Sequence, residues 1–295
     1  MIGALIQALR PKQWTKNLLL FAGVLFSQQM TQPALVLRAA AGFVAFSLLS
    51  GLVYLLNDLM DVESDRQHPT KRNRPIASGR LPVGVAWAAM VPLFGAVVAI
   101  SMWLGGGFTL VAGTYLAFNL AYSFALKHQV LIDVFIVALG FVFRAIAGVE
   151  LLLPVSPQTE ISPWLLMCTF FGALFLALAK RRRELENDPT AGKRRAVLLQ
   201  YTPELLDSLL VIAAATSLMS YALYTIWPAT VAKFHTESLL ATVPFVAYGI
   251  FRYFYLVRAS SGAEDPSQVL LTDRGIAVCV LLYVAVVAFV LYRHT

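Results

Sequence analysis

The sequence predicts an all-α protein that crosses a membrane several times. Of its 295 residues, 59% are hydrophobic and only 13% are charged, whereas soluble domains carry roughly 25% charged residues. The mean hydropathy is +0.72. The apolar residues are grouped in stretches close to the roughly 20 residues that a transmembrane helix needs. Short polar connections separate these stretches, so residues 1–295 are predicted to form a single transmembrane domain.

Nine membrane spans follow from the pattern of these stretches. The segment RPKQWTKN at residues 10–17 precedes the first span and should lie at the membrane surface. The turn Gly105-Gly106-Gly107 separates the third span from the fourth. The spans lie at about 15–31, 34–60, 82–104, 108–125, 130–152, 163–180, 205–227, 238–257 and 271–292.

The basic residues predict the orientation of the chain. Nineteen of the 23 lysines and arginines fall on one predicted side, three on the other, and Arg144 within the fifth span. Because basic loops stay in the cytoplasm, we expect the N-terminus and residues 54–80 and 180–202 inside and the C-terminus outside. The net charge of +7 would suit nucleic acid in a soluble chain, but here these cations end spans and meet anionic lipid. No nucleic-acid partner is expected.

Residues 54–80 combine carboxylates with a following run of cations. Read as a helix, Asn57, Asp61 and Asp65 recur at i, i+4 and i+8, with Asp58 three residues before Asp61. Their oxygen atoms would point to roughly one side and suit Mg²⁺, with Mn²⁺ as a substitute. The alternative is a charged helix end at which acids and bases pair with each other.

The cations of this segment favour a phosphorylated substrate. Mg²⁺ is usually bound by one or two carboxylates together with substrate phosphates. A metal and phosphate site at the inner end of apolar helices would join a polar phosphorylated molecule to a lipid. The cations expected to meet phosphates here are Lys71, Arg72, Arg74 and Arg80.

Two features inside the predicted spans are candidates for a cavity. Arg144 is a cation within a span, which is costly and often functional; it would contact an anion or pair with Asp133, about 16 Å away along the helix. Tyr115, Asn119 and Tyr122 form a polar stripe on the fourth span. The stripe would face the cavity or form hydrogen bonds between helices.

Three further residues lie at the predicted cytoplasmic ends. Lys127 follows the fourth span, and a lysine there would hold a phosphate as a point charge or only mark the topology. Lys180 begins a basic run, with the same two interpretations. Tyr201 would donate a hydrogen bond to a bound substrate.

The motif NDLMDVESD at residues 57–65 resembles the N-D-x-x-D-x-x-x-D motif of the UbiA superfamily of intramembrane prenyltransferases. The resemblance implies a bundle of nine helices and a Mg²⁺-dependent site. Usual members hold a prenyl diphosphate through two aspartate motifs and transfer the prenyl group to an aromatic acceptor. In this chain, residues 179–188, AKRRRELEND, are basic where the second motif is acidic.

One branch of the superfamily departs in the same way and is similar to this chain in RPKQWTKN (10–17), AYSFALKHQ (121–129), RAIAG (144–148) and AKRRREL (179–185). Members of that branch transfer 5-phosphoribose from phosphoribosyl pyrophosphate to a polyprenyl phosphate for cell-wall arabinan. The resemblance therefore implies that Asp58, Asp61 and Asp65 are catalytic and hold Mg²⁺ with Asn57. The implied substrate-binding residues are Lys16, Tyr54, Lys71, Arg74, Tyr122, Lys127, Arg144, Lys180 and Tyr201.

Two other functions remain open from the sequence. A prenyl diphosphate-dependent transferase would need a second carboxylate cluster, and Glu184, Glu186 and Asp188 do not form one helical face. A transporter or lipid-binding protein should carry ionisable residues near the midplane, whereas here charge concentrates at one membrane side. We expect a multi-pass protein of the plasma (inner) membrane with its active site facing the cytoplasm, and a homo-oligomer is compatible with the sequence.

Overall fold

The computed structural model describes residues 1–187, 196–259 and 272–292, and these residues contain helices and no strand. Short 3-10 helices cover Pro11–Leu20, Lys71–Asn73, Leu126–His128, Ala196–Gln200 and Ser238–Thr242. The α-helices are α1 (Ile2–Ala8), α2 (Phe21–Phe26), α3 (Pro33–Met60), α4 (Val62–Gln67), α5 (Val83–Leu104), α6 (Gly106–Phe124), α7 (Ile132–Glu150), α8 (Pro163–Asn187), α9 (Pro203–Ile226), α10 (Pro228–Phe234), α11 (Val243–Ala259) and α12 (Arg274–Tyr292).

Seven helical segments in the described part of the chain are long and apolar enough to cross a membrane. They correspond to α3, α5, α7, α8, α9, the segment Ser238–Arg258 and α12. Large apolar side chains such as Val91 and Met102 are exposed on α5, as expected for a surface that faces lipid. The chain is therefore a multi-pass, all-helical membrane protein.

The other two predicted spans differ from the seven. The fourth coincides with α6, in which Asn119 and Tyr122 lower the apolar character. The first is a 3-10 helix, Pro11–Leu20, that continues into the short helix α2. Its start follows Arg10, which has a left-handed backbone with φ 53°. The count of nine spans stays a prediction.

One predicted loop is helical. The basic residues after position 180 were expected to leave the membrane as a loop, but α8 continues to Asn187. Arg181 pairs with Glu184 three residues later, and Arg182 pairs with Glu186 four residues later. Such pairs join successive helical turns. Residues 188–195 of the predicted loop lie outside the described residues.

The chain divides into two compact units, which share α7. The first comprises 1–124 and 143–159, and its core surrounds α3 with fully buried Leu20, Leu35, Phe46 and Phe108. The second comprises 125–142 and 160–295; within its described residues the core includes Leu178 and Leu206. The single domain at 1–295 stays a prediction.

Two contacts fix the interior of the first unit. A Cβ atom on Gly23 of α2 would lie 1.9 Å from the carbonyl oxygen of Gly148 on α7, so the two backbones approach too closely for a side chain. Arg38, buried on α3, donates from Nε to the Leu151 carbonyl at 2.6 Å and from Nη2 to the Leu104 carbonyl. Arg38 thereby satisfies carbonyl groups at the ends of two helices, which intrahelical bonds cannot reach.

Candidate active site

The acidic motif lies where α3 ends. Helix α3 stops at Met60, Asp61 separates it from α4, and the pattern predicted for one continuous helix is interrupted there. Asp58 and Asp65 come together instead: both accept hydrogen bonds from Nη1 of Arg74, at 3.1 and 2.7 Å. Both carboxylates are about 2% exposed. Asp58 and Asp65 are therefore paired with a base, as in the alternative interpretation of this segment.

Arg10 completes this cluster, although it was not predicted from the sequence to be a site residue. Its Nη2 atom donates to Oδ1 of Asp58 at 2.7 Å, and its guanidinium lies 4.6 Å from the ring centre of Tyr54. Tyr54, predicted to bind substrate, thus supports a cation that contacts the motif. Arg10 has a left-handed backbone, and this conformation cannot be predicted from the residue type.

The oxygen atoms of the motif fit a divalent cation that is shared with phosphate. Among the described residues, no three His, Cys, Asp or Glu side chains are grouped as a ready metal cage. However, Oδ1 of Asp65 is buried without a hydrogen-bond partner. The half-buried side chains of Asn57 and Asp61 also make no hydrogen bond within the described part of the chain. Such hard oxygen donors suit Mg²⁺ bound by few carboxylates plus substrate phosphates.

The cations predicted to meet phosphates are not equivalent in the structure. Arg74 faces the carboxylates, whereas Lys71 and Arg72 are exposed. Arg80 is exposed and donates to the Gln7 side chain at 3.0 Å and the Asn73 carbonyl at 2.7 Å. Arg80 therefore connects the basic loop to α1, and Lys71 remains available to a ligand.

Arg144 is the centre of a buried polar network in the first unit. Its Nε donates to Oδ1 of Asn17 at 2.7 Å, and its Nη2 donates to the Tyr115 hydroxyl at 2.9 Å. Asn17 in turn donates to the Ser47 hydroxyl at 3.0 Å. The guanidinium lies 4.9 Å from the Tyr115 ring centre. The network joins the segment before α2 to α3, α6 and α7, and it brings RPKQWTKN and RAIAG together.

The polar stripe of α6 is divided by these contacts. Tyr115 is 4% exposed and bonds to other helices, which is the second of the two interpretations of the stripe. Asn119 donates to the Tyr115 carbonyl of its own helix at 2.8 Å. Tyr122 is half-buried, as is Lys16.

A second network lies in the second unit and was missed from the sequence. Asp133, in the first turn of α7 and 0% exposed, accepts from Nε of Arg181 at 2.8 Å and from the Tyr201 hydroxyl at 2.7 Å. Burial and the hydrogen bond to Asp133 raise the pKa of the Tyr201 phenol well above its usual range. The sequence signal that could have predicted this network is Asp133 itself, a carboxylate at the start of an apolar helix. Tyr201, predicted to bind substrate, makes hydrogen bonds with Asp133 and with the Leu131 N–H in this structure. Lys127 and Lys180 are half-buried.

Comparison with known proteins shows similarity to one protein family along most of the chain. The UbiA prenyltransferase family matches residues 18–272. A decaprenyl-phosphate phosphoribosyltransferase of Corynebacterium glutamicum is 37% identical over 297 residues, covering 98% of this chain and 86% of the relative. One of the same name from Mycolicibacterium smegmatis is 33% identical over 302 residues, with coverage of 99% and 93%.

Solved structures agree in fold. A UbiA homolog from Archaeoglobus fulgidus bound to GPP and Mg²⁺ superimposes with a TM-score of 0.73, covering 98% of this chain and 99% of that one. The sequences are 20% identical, so this likeness concerns the fold alone.

Proposed function

Since this chain belongs to the UbiA prenyltransferase family, we propose that within the family it transfers 5-phosphoribose from phosphoribosyl pyrophosphate to a polyprenyl monophosphate of the decaprenyl type. Pyrophosphate is released, and the lipid-linked pentose serves cell-wall arabinan synthesis. The observation that carries this proposal is the 37% identity to a decaprenyl-phosphate phosphoribosyltransferase along 98% of the chain.

The end of α8 supports this function over prenyl transfer. A second metal-binding carboxylate cluster would have to come from Glu184, Glu186 and Asp188. Glu184 pairs with Arg181 at 2.5 Å and Glu186 with Arg182 at 3.2 Å, while Asp188 lies outside the described residues. A site with one acidic motif and several cations suits a substrate pair with three phosphorylated groups.

The acidic motif is proposed to hold Mg²⁺, with Mn²⁺ as a substitute. Asn57, Asp61 and Asp65 have oxygen atoms available, whereas Asp58 already accepts hydrogen bonds from Arg10 and Arg74. The bound metal supplies Lewis-acid stabilisation of the leaving pyrophosphate. Asp58 would therefore act mainly by orienting the two guanidinium groups toward phosphate oxygens.

The transfer needs no general base. A phosphate monoester is largely dianionic near neutral pH, so an oxygen of the lipid phosphate can attack C1 of the ribose directly. The bond between C1 and the pyrophosphate oxygen breaks, and its electron pair leaves with pyrophosphate. Lys71 and Arg74 would neutralise phosphate oxygens of the sugar substrate. Lys16, Lys127, Arg144 and Lys180 are the proposed contacts for the 5-phosphate and the lipid phosphate, and Tyr54 and Tyr122 are further proposed substrate contacts.

The orientation is part of the proposal. In the proposed topology of nine spans, with the N-terminus and the acidic motif in the cytoplasm, the site would lie where a water-soluble phosphoribosyl donor is available. The nineteen to three division of lysine and arginine supports this orientation, and it corresponds to a plasma (inner) membrane enzyme.

Transfer of a radiolabel tests the function. Membranes containing the chain are incubated with labelled phosphoribosyl pyrophosphate, decaprenyl phosphate and Mg²⁺, and we expect a labelled lipid. Membranes without the chain are the control. Label in no lipid across acceptors of several chain lengths, or transfer only from a prenyl diphosphate to an aromatic acceptor, would contradict the proposal and favour the prenyltransferase alternative.

A further inference from the structure

The turn between α6 and α7 contains a strained residue. After the 3-10 helix Leu126–His128, Leu131 adopts a left-handed backbone with φ 68°. This region is unfavourable for a residue with a side chain, and it persists only where surrounding contacts enforce it. Contacts of Leu131 with its surroundings therefore stabilise this conformation. Two are local, from the N–H groups of Val134 and Phe135 to the Leu131 carbonyl at 3.1 and 3.0 Å, and one comes from outside the turn.

Tyr201 is that contact. The N–H of Leu131 donates to the Tyr201 hydroxyl at 2.8 Å, and the same hydroxyl donates to Oδ1 of Asp133 at 2.7 Å. One hydroxyl thus uses an acceptor position on Leu131, in the turn, and its donor on Asp133, at the start of α7. Because Tyr201 is 4% exposed, water is a poor substitute for it.

Asp133 accepts the hydrogen bond of the Tyr201 hydroxyl and is itself held by Arg181. Asp133 is 0% exposed, and its second oxygen accepts from Nε of Arg181 at 2.8 Å. Removing one member of a buried ion pair leaves the other charge without compensation. We define the Tyr201 latch as Tyr201, Asp133 and Arg181, which together join the turn to α8 and to the segment before α9.

The turn held by this latch carries Lys127. Lys127 is half-buried, and in the described part of the chain its ammonium group makes no ion pair and no hydrogen bond. A lysine ammonium binds phosphate as a point charge, so its effect depends on where the backbone places it. Lys127 lies four residues before the strained Leu131.

We propose that Tyr201 and Asp133 are positioning residues, which hold Lys127 where it binds a phosphate group of one of the two substrates. The proposal rests on the proposed phosphoribosyl transfer, because that reaction supplies the phosphate groups. It replaces a direct substrate contact by Tyr201 with an action through the turn.

Steady-state kinetics on the purified full chain separate positioning from simple stabilisation. Lys127→Ala should raise the KM of either phosphoribosyl pyrophosphate or the polyprenyl phosphate by about tenfold, as expected for one charge-assisted contact. Tyr201→Phe should raise the KM of that same substrate by about threefold to tenfold. The double variant should resemble Lys127→Ala, since a misplaced lysine and an absent one fail at the same contact.

Two further variants serve as control and rescue. Tyr221→Phe removes a buried hydroxyl of the same unit that bonds to Thr242 and Tyr283, and both KM values should stay at the wild-type level. Leu131→Gly in the Tyr201→Phe background should restore KM, because glycine adopts the left-handed conformation without strain. This variant also keeps the test informative if Tyr201→Phe alone folds poorly.

The outcomes distinguish the two proposals. A wild-type chain that transfers no phosphoribose contradicts the proposed function and the positioning role with it. A wild-type chain that is active, with Tyr201→Phe lowering only the folded amount or the unfolding temperature, overturns the positioning role alone. Multiplicative effects of Lys127→Ala and Tyr201→Phe on KM would overturn it as well.

Discussion

Asp58 and Asp65 share a single donor atom: Nη1 of Arg74 lies 3.1 Å from one carboxylate and 2.7 Å from the other. The two acids are seven residues apart, on either side of the break between α3 and α4. The basic loop therefore contacts the acidic motif directly through Arg74. In the proposed reaction, a phosphate group that enters the site would meet arginines already positioned by the carboxylates.

Arg74→Ala should remove this link. We expect turnover to fall by about 100-fold, as for the loss of one charged group that stabilises developing charge. The free energy of unfolding should fall by about 2 kcal/mol, because Asp65 would be left buried without its cation. Phosphoribosyl transfer and denaturant unfolding in detergent measure the two effects. Arg72→Ala changes an exposed arginine of the same loop that contacts neither carboxylate, and its free energy of unfolding should match the wild type; an equal loss of stability at both positions would mean that only loop charge matters.

Tyr115→Phe should destabilise the first unit more than Asn119→Ala. The first change removes an acceptor from the buried Arg144 guanidinium while keeping the ring, and it should cost about 2 kcal/mol. The second removes an amide that, among the described residues, bonds only to its own helix backbone, and it should cost less than about 0.5 kcal/mol. Unfolding in detergent compares them. A larger effect at Asn119 would be incompatible with the Arg144 network.

Gly148→Ala should destabilise the packing of α7 in the first unit. A Cβ atom there would lie 2.5 Å from the Leu20 carbonyl oxygen, and the backbones would have to separate at a cost of about 2 kcal/mol. Gly113→Ala on α6 is the matched control, because a Cβ atom at that position meets nothing within 4 Å. Unfolding temperatures of the two variants should differ clearly, and similar values would argue against the close approach.

Asp273 should make stability depend on pH. It caps α12 by accepting the Ile276 N–H at 2.8 Å, and the hydrogen bond from Arg252 holds the pKa of its carboxyl below the usual range. A depressed folded-state pKa stabilises the fold above the unfolded value of about 3.9, and this contribution disappears as the pH falls through the folded value. Asp273→Asn keeps a capping oxygen but loses the charge that faces Arg252 and the start of the helix, and it should therefore cost about 0.5 kcal/mol near pH 7.

The difference between wild type and Asp273→Asn should shrink as the pH falls below about 4. Unfolding followed between pH 3 and pH 7, in mixed buffers of constant ionic strength, measures the shrinkage. The exposed Glu237 provides a comparison, since Glu237→Gln should leave the profile unchanged. A difference that is constant across this range would exclude ionisation of Asp273 as its source.

Local sequence signals set most helix limits. The span predicted at about 82–104 is the helix Val83–Leu104, because Pro82 and Gly105 bound an uninterrupted apolar run. The extension of α8 to Asn187 was missed, since its basic residues suggested a solvated loop while their partners lie one turn further along the same helix.

The candidate site can be proposed from the sequence, but the arrangement of its side chains cannot be predicted from it. The spacing of Asn57, Asp58, Asp61 and Asp65 identifies the acidic motif, yet it assumes one unbroken helix. The contact of Arg10 with Asp58 joins residues 48 positions apart, and that of Arg181 with Asp133 joins another pair at the same separation. Such partners depend on how helices pack, which periodicity within one helix cannot specify.

Asp61 is the residue on which the metal proposal depends. It has an unengaged carboxylate in the described structure, so Asp61→Ala should leave the fold intact. We combine the purified chain with phosphoribosyl pyrophosphate, decaprenyl phosphate and Mg²⁺. The mass of the lipid product is measured by mass spectrometry. We expect a lipid heavier by one phosphoribosyl group and an equal amount of pyrophosphate from the wild type, and neither from Asp61→Ala or after chelation of the metal. A wild-type reaction without that lipid, or full activity in folded Asp61→Ala, would contradict a phosphoribosyl transfer that proceeds at this carboxylate motif.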